Sequence, residues 1–233
     1  MRTLTIDIGG TGIKTLLLDR EGAAVGERQR ELTPHPSTPK AVLAVLDEMV
    51  ARRKPFDRVS VGFPGVVKHG RVLTAPNLGT KHWAGFELQA AITNLTGSPV
   101  RVINDAELQG FGVIDGVGVE LVLTLGTGLG TGLYVDGRLV PNLELGHHPF
   151  KSKRTYEDLV SDSELERVGE KKWRKRMRSI VKMLDRIFNY DRLHIGGGNA
   201  EHLEDPLPEN VRRFTNVEGM AGGVRLWRDS QQP

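Results

Sequence analysis

An ungapped shift of 117 residues lays Gly9-Gly10-Thr11-Gly12-Ile13-Lys14-Thr15-Leu16-Leu17-Leu18-Asp19 on Gly126-Thr127-Gly128-Leu129-Gly130-Thr131-Gly132-Leu133-Tyr134-Val135-Asp136. At a slightly longer shift, Asp57-Arg58-Val59-Ser60-Val61-Gly62 falls on Asp191-Arg192-Leu193-His194-Ile195-Gly196. A chain that repeats a unit in this way is expected to build two similar halves. Two halves commonly leave a cleft between them, where ligands bind. The length of 233 residues suits two small domains. The expected division is residues 1–115, residues 116–218, and a closing helix over 219–233 packed back between the lobes.

The hydrophobic pattern supports an α/β chain. Leu4 to Ile8, Ile13 to Leu18 and Val25 to Glu31 read as an N-terminal meander of strands, and Arg58 to Phe63, Val100 to Ile103, Val119 to Leu125, Leu133 to Val135 and Leu193 to Ile195 as further strands. Thr38 to Arg52 has a helical apolar face, with Ser37 or Thr38 available as its cap. Phe86 to Leu95, Asp105 to Ile114 and Ser163 to Asn189 are predicted helices.

Composition removes several function classes. The chain has no cysteine, which excludes thiol catalysis, a disulfide framework and a cysteine-based zinc site. No apolar run approaches the roughly 18 residues needed to cross a bilayer, and Met1 to Asp7 enters a strand pattern with no secretory h-region, so a cytoplasmic protein without a membrane partner is expected. The net charge of +3 gives no whole-chain signal for nucleic acid. Charge is concentrated locally: six of the eight residues from Lys171 to Arg178 are basic, and Lys151, Lys153 and Arg154 lie nearby in sequence.

Asp7-Ile8-Gly9-Gly10-Thr11-Gly12-Ile13-Lys14 places an acid at a strand end, glycines in the turn and a lysine on the returning strand. Glycines let backbone N–H groups approach an anion, Thr11 offers a hydroxyl, Lys14 a point charge, and Asp7 a carboxylate for hydrated Mg2+. An ordinary tight hairpin is the competing reading. It is not a P-loop, which requires glycine immediately before the lysine. Gly126-Thr127-Gly128-Leu129-Gly130-Thr131-Gly132 repeats the device and is too glycine-rich for a good strand, so close approach by a ligand is expected there. Neither this run nor Gly196-Gly197-Gly198-Asn199 has the dinucleotide fingerprint in its strand-to-helix context, which disfavours a nicotinamide enzyme. Three such turns facing one cleft would cradle a chain of phosphates.

Asn104-Asp105 stands between an apolar strand and a helix, where Asp105 could serve only as the helix cap. Glu144 and His147 could be solvated loop residues, and His147-His148 is too short to argue for a metal. With Asn77, however, these residues supply carboxylates, an amide and an imidazole, the equipment for holding a polyhydroxylated substrate.

These segments resemble the ROK family of sugar kinases, most closely its polyphosphate glucokinase branch, within the actin-like ATPase superfamily. The resemblance rests on Asp7 to Lys14, Gly62-Phe63-Pro64-Gly65, Pro76-Asn77-Leu78, Asn104-Asp105-Ala106, Leu125 to Gly132, Glu144-Leu145-Gly146-His147 and Gly196-Gly197-Gly198, in the family's order. It implies a two-lobed actin-like (ribonuclease H-like) fold with duplicated mixed-sheet domains and an interlobe cleft that closes on the sugar. It also implies a glucokinase that moves a terminal phosphoryl group from inorganic polyphosphate, ATP or both to the 6-hydroxyl of glucose or a related hexose. Asp105 would be the general base, while Gly65, Asn77, Asn104, Glu144 and His147 would bind the sugar. Asp7, Gly9, Gly10, Thr11, Lys14, Gly126, Thr127, Gly128, Gly197 and Gly198 would hold the donor phosphates, with Asp7 touching Mg2+ through water. A homodimer is implied as well.

The family's cysteine-rich zinc motif is absent, so no structural zinc is expected; the polyphosphate branch also lacks it, and Asn216 to Val224 resembles that branch's closing helix. The competing functions are an ATP-dependent kinase for another hexose or an N-acylamino sugar, and a non-catalytic sugar-binding regulator. Lys171 to Arg178 has two readings. One is a solvated helix face around a packed stripe of Trp173, Met177, Ile180, Val181 and Leu184; the other is a rail for a long polyanion.

Overall fold

The computed structural model describes residues 1–228, so residues 229–233 of the expected closing helix lie outside the described residues. The chain forms two compact units, one of Met1–Gly112 with the C-terminal segment from Val217, the other of Val113–Asn216. In the first, β1 (Thr3–Ile8), β2 (Gly12–Leu18) and β3 (Gln29–Leu32) make an antiparallel meander. Helix α1 (Pro39–Ala51) leads to β4 (Arg58–Phe63), which runs parallel to β1. The short hairpin β5 (Val67–Lys68) and β6 (Arg71–Val72), helix α2 (Thr80–Trp83) and helix α3 (Leu88–Thr96) precede β7 (Val100–Asn104), parallel to β4. Helix α4 (Asp105–Val113) follows without a loop. The sheet order is β3-β2-β1-β4-β7.

The second unit repeats this plan. Strands β8 (Val119–Leu125), β9 (Leu129–Val135) and β10 (Arg138–Val140) form the meander. A 3-10 turn at Leu145–His147, the hairpin β11 (Pro149–Lys151) and β12 (Arg154–Thr155), and helices α5 (Glu157–Val160), α6 (Asp162–Val168) and α7 (Glu170–Phe188) cross over to β13 (Arg192–Gly196). A second 3-10 turn at Gly198–His202 leads to β14 (Val211–Arg213), and the sheet order is β10-β9-β8-β13-β14. The last helices among the described residues are α8 (Asn216–Met220) and α9 (Gly222–Arg225).

Both sequence echoes are structural. Thr3 pairs with Arg58 and Asp7 with Gly62, just as Glu120 pairs with Arg192 and Thr124 with Gly196. The hairpins differ by one residue: Ile8 faces Ile13 in the first, whereas Leu125 faces Leu129 in the second. A one-residue change of register moves side chains to the opposite face. Lys14 therefore faces Asp7, while Gly130, not the Thr131 that the ungapped match aligns with Lys14, faces Thr124.

Three local expectations are corrected. The glycine-rich run from Leu129 to Gly132 is a strand, not a loop, because its ladder to β8 is continuous, Leu129 is buried, and the Thr131 hydroxyl donates to the Leu143 carbonyl. The third strand starts at Gln29 instead of Val25; Gly22 and Gly26 hold positive φ, leaving only a bridge from Leu18 to Ala24. The long helix predicted from Ser163 is broken at Gly169, whose φ of +75° ends α6 and precedes α7.

Each unit has its own core. In the first, Thr38 caps α1 by accepting from Ala41 N at 3.3 Å, Pro39 fits the first turn, and Val42, Leu46, Met49 and Val50 face the core. In the second, α7 buries Trp173, Met177, Ile180 and Leu184, and Trp173 Nε1 donates to Val160 O at 2.9 Å. The C-terminal segment packs on the first unit. A Cβ at Gly223 would lie 2.0 Å from Thr5 Oγ1 and one at Gly222 2.1 Å from Leu108 O, so only glycine admits this contact. Trp227 Nε1 then donates to Ser60 Oγ at 2.7 Å, with the Arg101 guanidinium over its ring.

Candidate active site

In the first unit the predicted residues gather at the carboxyl ends of the parallel strands β1, β4 and β7, the edge where open α/β sheets bind ligands. Asp7 is the penultimate residue of β1 and is 5% exposed. Lys14 Nζ donates to its Oδ2 at 2.8 Å across the hairpin. The turn is shaped by Gly9 N donating to Gly12 O at 3.0 Å and by the Thr33 hydroxyl donating to Gly9 O at 2.6 Å. Thr11 is exposed at its tip. A Cβ on Gly10 would lie 3.3 Å from Asn77 Cβ, which places the exposed Asn77 beside the turn.

Gly65 follows β4. A Cβ there would lie 2.1 Å from Thr74 O, so glycine is required for the loop to lie against Thr74 and Ala75. The Pro76-Asn77 turn behind it is tied by Leu78 N donating to Ala75 O at 3.1 Å and Ala75 N donating to Thr80 Oγ1 at 3.0 Å. Asn104 joins these parts: its Nδ2 donates to Gly65 O at 3.3 Å, and its Oδ1 accepts from Ala106 N at 2.8 Å and Glu107 N at 3.3 Å. Asn104 is therefore the cap of α4, and the reading of Asp105 as a mere cap is corrected. Asp105 is the first helical residue, half-buried, with Oδ1 accepting from Ala106 N at 2.8 Å. Its backbone is fixed by the close pass of Gly62, where a Cβ would lie 3.0 Å from Asp105 Cα.

In the second unit Gly126, Thr127 and Gly128 form the three-residue turn between β8 and β9, with Gly126 N donating to Gly128 O at 3.1 Å. Thr127 is exposed, and open space stands where a Gly126 Cβ would project. The turn is held from behind by Asp162 N donating to Gly126 O at 2.9 Å and Leu129 N donating to Glu157 Oε2 at 2.9 Å. Gly197 lies against the end of β8, where a Cβ would sit 2.2 Å from Leu125 O, and the exposed Gly198 opens the next turn. Two of the predicted glycine turns thus adjoin.

Glu144 precedes the first 3-10 turn and His147 is its last residue, with His147 Nδ1 3.5 Å from Glu144 Oε2. Gly146 lets this turn press on β9, since a Cβ there would lie 2.4 Å from Leu129 O. Burial raises the Glu144 carboxyl above its ordinary value of 4.5; His147 opposes the shift and Glu157 adds to it.

Sequence reasoning missed Thr33, Thr74, Gly146 and Glu157, which touch these turns from segments with no motif of their own, apart from Gly146 inside Glu144-Leu145-Gly146-His147. Asn199 was quoted but given no role; it is 7% exposed and its Nδ2 has no hydrogen-bond partner. A cavity of about 600 Å3 between α7 and residues 203–211 is lined by Arg174 and Arg178 of the basic run and by none of the predicted sugar or donor residues. The basic run divides. Arg174 binds Glu170 and the His202 carbonyl, Arg176 binds Glu164, and Arg178 binds Glu204, while Lys171, Lys172 and Lys175 are exposed. Among the described residues no group of three or more acids and histidines is placed to hold a metal, and no helix is long and apolar enough to cross a membrane.

A family model described as ROK family matches residues 3–162. The chain belongs to the ROK family. Polyphosphate glucokinase of Mycobacterium tuberculosis is 33% identical over 240 residues, covering 94% of this chain and 88% of that protein. The crystal structure of the inorganic polyphosphate/ATP-glucomannokinase from Arthrobacter sp. strain KM is similar with a TM-score of 0.86 and 33% identity, over 96% of this chain and 97% of that one. A ROK family glucokinase from Streptomyces griseus, solved with glucose and AMPPNP, has the same fold, with a TM-score of 0.82 at 20% identity over 97% of this chain and 99% of that one. The duplicated mixed sheets are those of the actin-like ATPase fold. This ROK protein is a sugar kinase, a phosphotransferase with an alcohol acceptor.

Proposed function

We propose that the protein is a glucokinase that transfers the terminal phosphoryl group of inorganic polyphosphate, ATP or both to the 6-hydroxyl of glucose, with Asp105 as general base. The observation that carries this reading is the division of labour at the start of α4. Asn104 caps the helix, and Asp105, whose Oδ1 accepts from Ala106 N at 2.8 Å, opens it half-buried at the carboxyl edge of the sheet. Support comes from the 33% identity to a polyphosphate glucokinase across nearly the whole of both chains.

Phosphoryl transfer needs little covalent help from protein groups; positioning and charge neutralisation supply most of the acceleration. Asp105 accepts the proton from the sugar hydroxyl as its oxygen attacks the terminal phosphorus, and the shortened donor leaves with the electrons of the broken P–O bond. Asn104, Gly65 and Asn77 bind the sugar, and Glu144 and His147 contact its hydroxyls. The Gly9 to Thr11 turn with Lys14, and the Gly126 to Gly128 and Gly197-Gly198 turns, present N–H groups and charge to the donor phosphates. Asp7 suits Mg2+, which typically takes one or two carboxylates plus substrate phosphates and keeps several waters. When bound there, the ion would neutralise charge on the donor.

The test is glucose 6-phosphate formation by the purified protein with Mg2+, comparing long-chain polyphosphate with ATP. Turnover of glucose with either donor supports the reading. Turnover only of another hexose or an N-acylamino sugar, or none with any sugar, overturns it.

A further inference from the structure

Three guanidinium groups converge on a single buried carboxylate in the second unit. Glu164, with a side chain 6% exposed, meets Arg154 Nη1 at 2.9 Å, Arg167 Nε at 2.6 Å and Nη2 at 2.7 Å, and Arg176 Nη1. These arginines come from β12, α6 and α7, and hold the Glu164 carboxyl well below the usual carboxylate range. Guanidinium groups do not deprotonate in proteins, so one carboxylate leaves an excess of positive charge. Asp158 also faces Arg154, but its carboxylate is occupied by the Thr155 N–H at 2.8 Å, and counting it still leaves the cluster cationic. Exposed Lys151 and Lys153 on the adjoining hairpin, and Lys172 one helical turn before Arg176, add to the excess.

The cluster's position gives this charge a use. Asp162, two residues before Glu164, is the residue whose N–H holds the Gly126 carbonyl at 2.9 Å, so the acid begins within about 7 Å of the glycine turn's anchor. Arg154 and Arg167 have side chains 35% and 62% exposed; Arg154 Nη2 donates to the Asp158 carbonyl, and both guanidinium groups retain further N–H groups that Glu164 does not use. Arginine forks match phosphate oxygens in pairs.

We propose that Arg154, Arg167 and Arg176 form a distal phosphate subsite, holding phosphates of an inorganic polyphosphate behind those that lie on Gly126 to Gly128. The subsite rests on the donor assignment proposed above and deepens it. A polyphosphate carries charge along its whole length, whereas the charge of ATP ends at the α-phosphate and gives way to a neutral nucleoside. The subsite therefore selects for the longer polyanion. Arg174 and Arg178, engaged with Glu170 and Glu204, take no part.

The experiment compares wild type with Arg167→Gln, Arg154→Gln, Arg167→Lys and the control Arg178→Gln. Calorimetric titration with long-chain polyphosphate is run beside KM for long-chain polyphosphate and for ATP. Each glutamine variant leaves Glu164 two arginines and is expected to weaken long-chain binding at least fivefold, with KM for ATP within twofold of wild type. The salt dependence of polyphosphate binding should flatten by about 0.7 in log–log slope per charge removed, as for single-stranded polyanions. Arg167→Lys should recover most of the affinity, and Arg178→Gln should match wild type. Unchanged polyphosphate affinity in both glutamine variants, or parallel losses with both donors, overturns the subsite even if glucose is phosphorylated as proposed. A wild-type protein that phosphorylates glucose with ATP but does not bind polyphosphate overturns the subsite and leaves the glucokinase reading standing; failure to phosphorylate glucose with either donor is the separate failure of that reading.

Discussion

Asn104 Nδ2 donates to the Gly65 carbonyl at 3.3 Å while Asn104 Oδ1 caps α4, so one amide ties the end of β7 to the loop after β4 and fixes where Asp105 begins its helix. Replacing Asn104 by alanine removes both bonds. The cap alone is worth about 1 kcal/mol, and the loss of a buried partner at Gly65 adds to it. Asn104→Ala should lower the thermal midpoint and raise KM for glucose, read by calorimetry and steady-state kinetics.

Asp105→Asn keeps the shape of the side chain and removes its basicity. Loss of a positioned general base typically costs 10²–10⁴-fold. The expected outcome is a fall in kcat of that order with glucose affinity within a few-fold of wild type, measured by coupled assay and by titration with glucose. Wild-type turnover would remove Asp105 from the chemistry.

Lys14 Nζ pairs with Asp7 Oδ2 at 2.8 Å, at the mouth of a glycine turn. Lys14→Met should raise KM for polyphosphate and ATP alike, by about tenfold, and leave KM for glucose near wild type. That parallel loss would separate the first turn, proposed to hold the donor whatever its length, from the arginine cluster around Glu164.

Burial raises the Glu144 carboxyl above its ordinary value of 4.5. A raised pKa means that the ionised form, proposed to accept sugar hydroxyls, is lost at a higher pH than for an exposed glutamate. KM for glucose should therefore climb as the solution is acidified, beginning above pH 4.5, and Glu144→Gln should raise KM and flatten that dependence. A wild-type acid limb unchanged in the variant would assign the titration elsewhere.

Glu164 is shifted the other way. Its depressed folded pKa contributes stability that is fully present above the ordinary value of 4.5 and is lost as pH falls. Glu164→Gln removes the negative charge shared by three guanidinium groups and turns one acceptor oxygen into an NH2 donor, and should cost about 2–3 kcal/mol, on the scale of hydrogen bonds to charged groups. Thermal unfolding at neutral pH should show that loss, and the gap to wild type should narrow in acid.

The repeat of Gly9 to Asp19 at Gly126 to Asp136 determined the duplicated meander, because a glycine turn between two apolar runs has few other ways to fold, and it carried β2 onto β9 end for end. The motifs also marked Asp7, Asn104, Asp105, Glu144 and the glycine turns before any coordinates, since each needs a particular residue type at a fixed chain position. Hairpin register was not legible. Closing the second loop one residue earlier depends on the whole ladder, and that single residue places glycine where the first hairpin has Lys14. Which residue capped α4 was equally hidden, because Asn104 and Asp105 are both good caps and only the path of β7 decides between them. Tertiary structure alone brought Thr33 to Gly9, Glu157 to Leu129 and three arginines from separate elements to Glu164. Such contacts join residues that share no local pattern, so they arise only when the packing of sheets and helices has already fixed where each backbone runs.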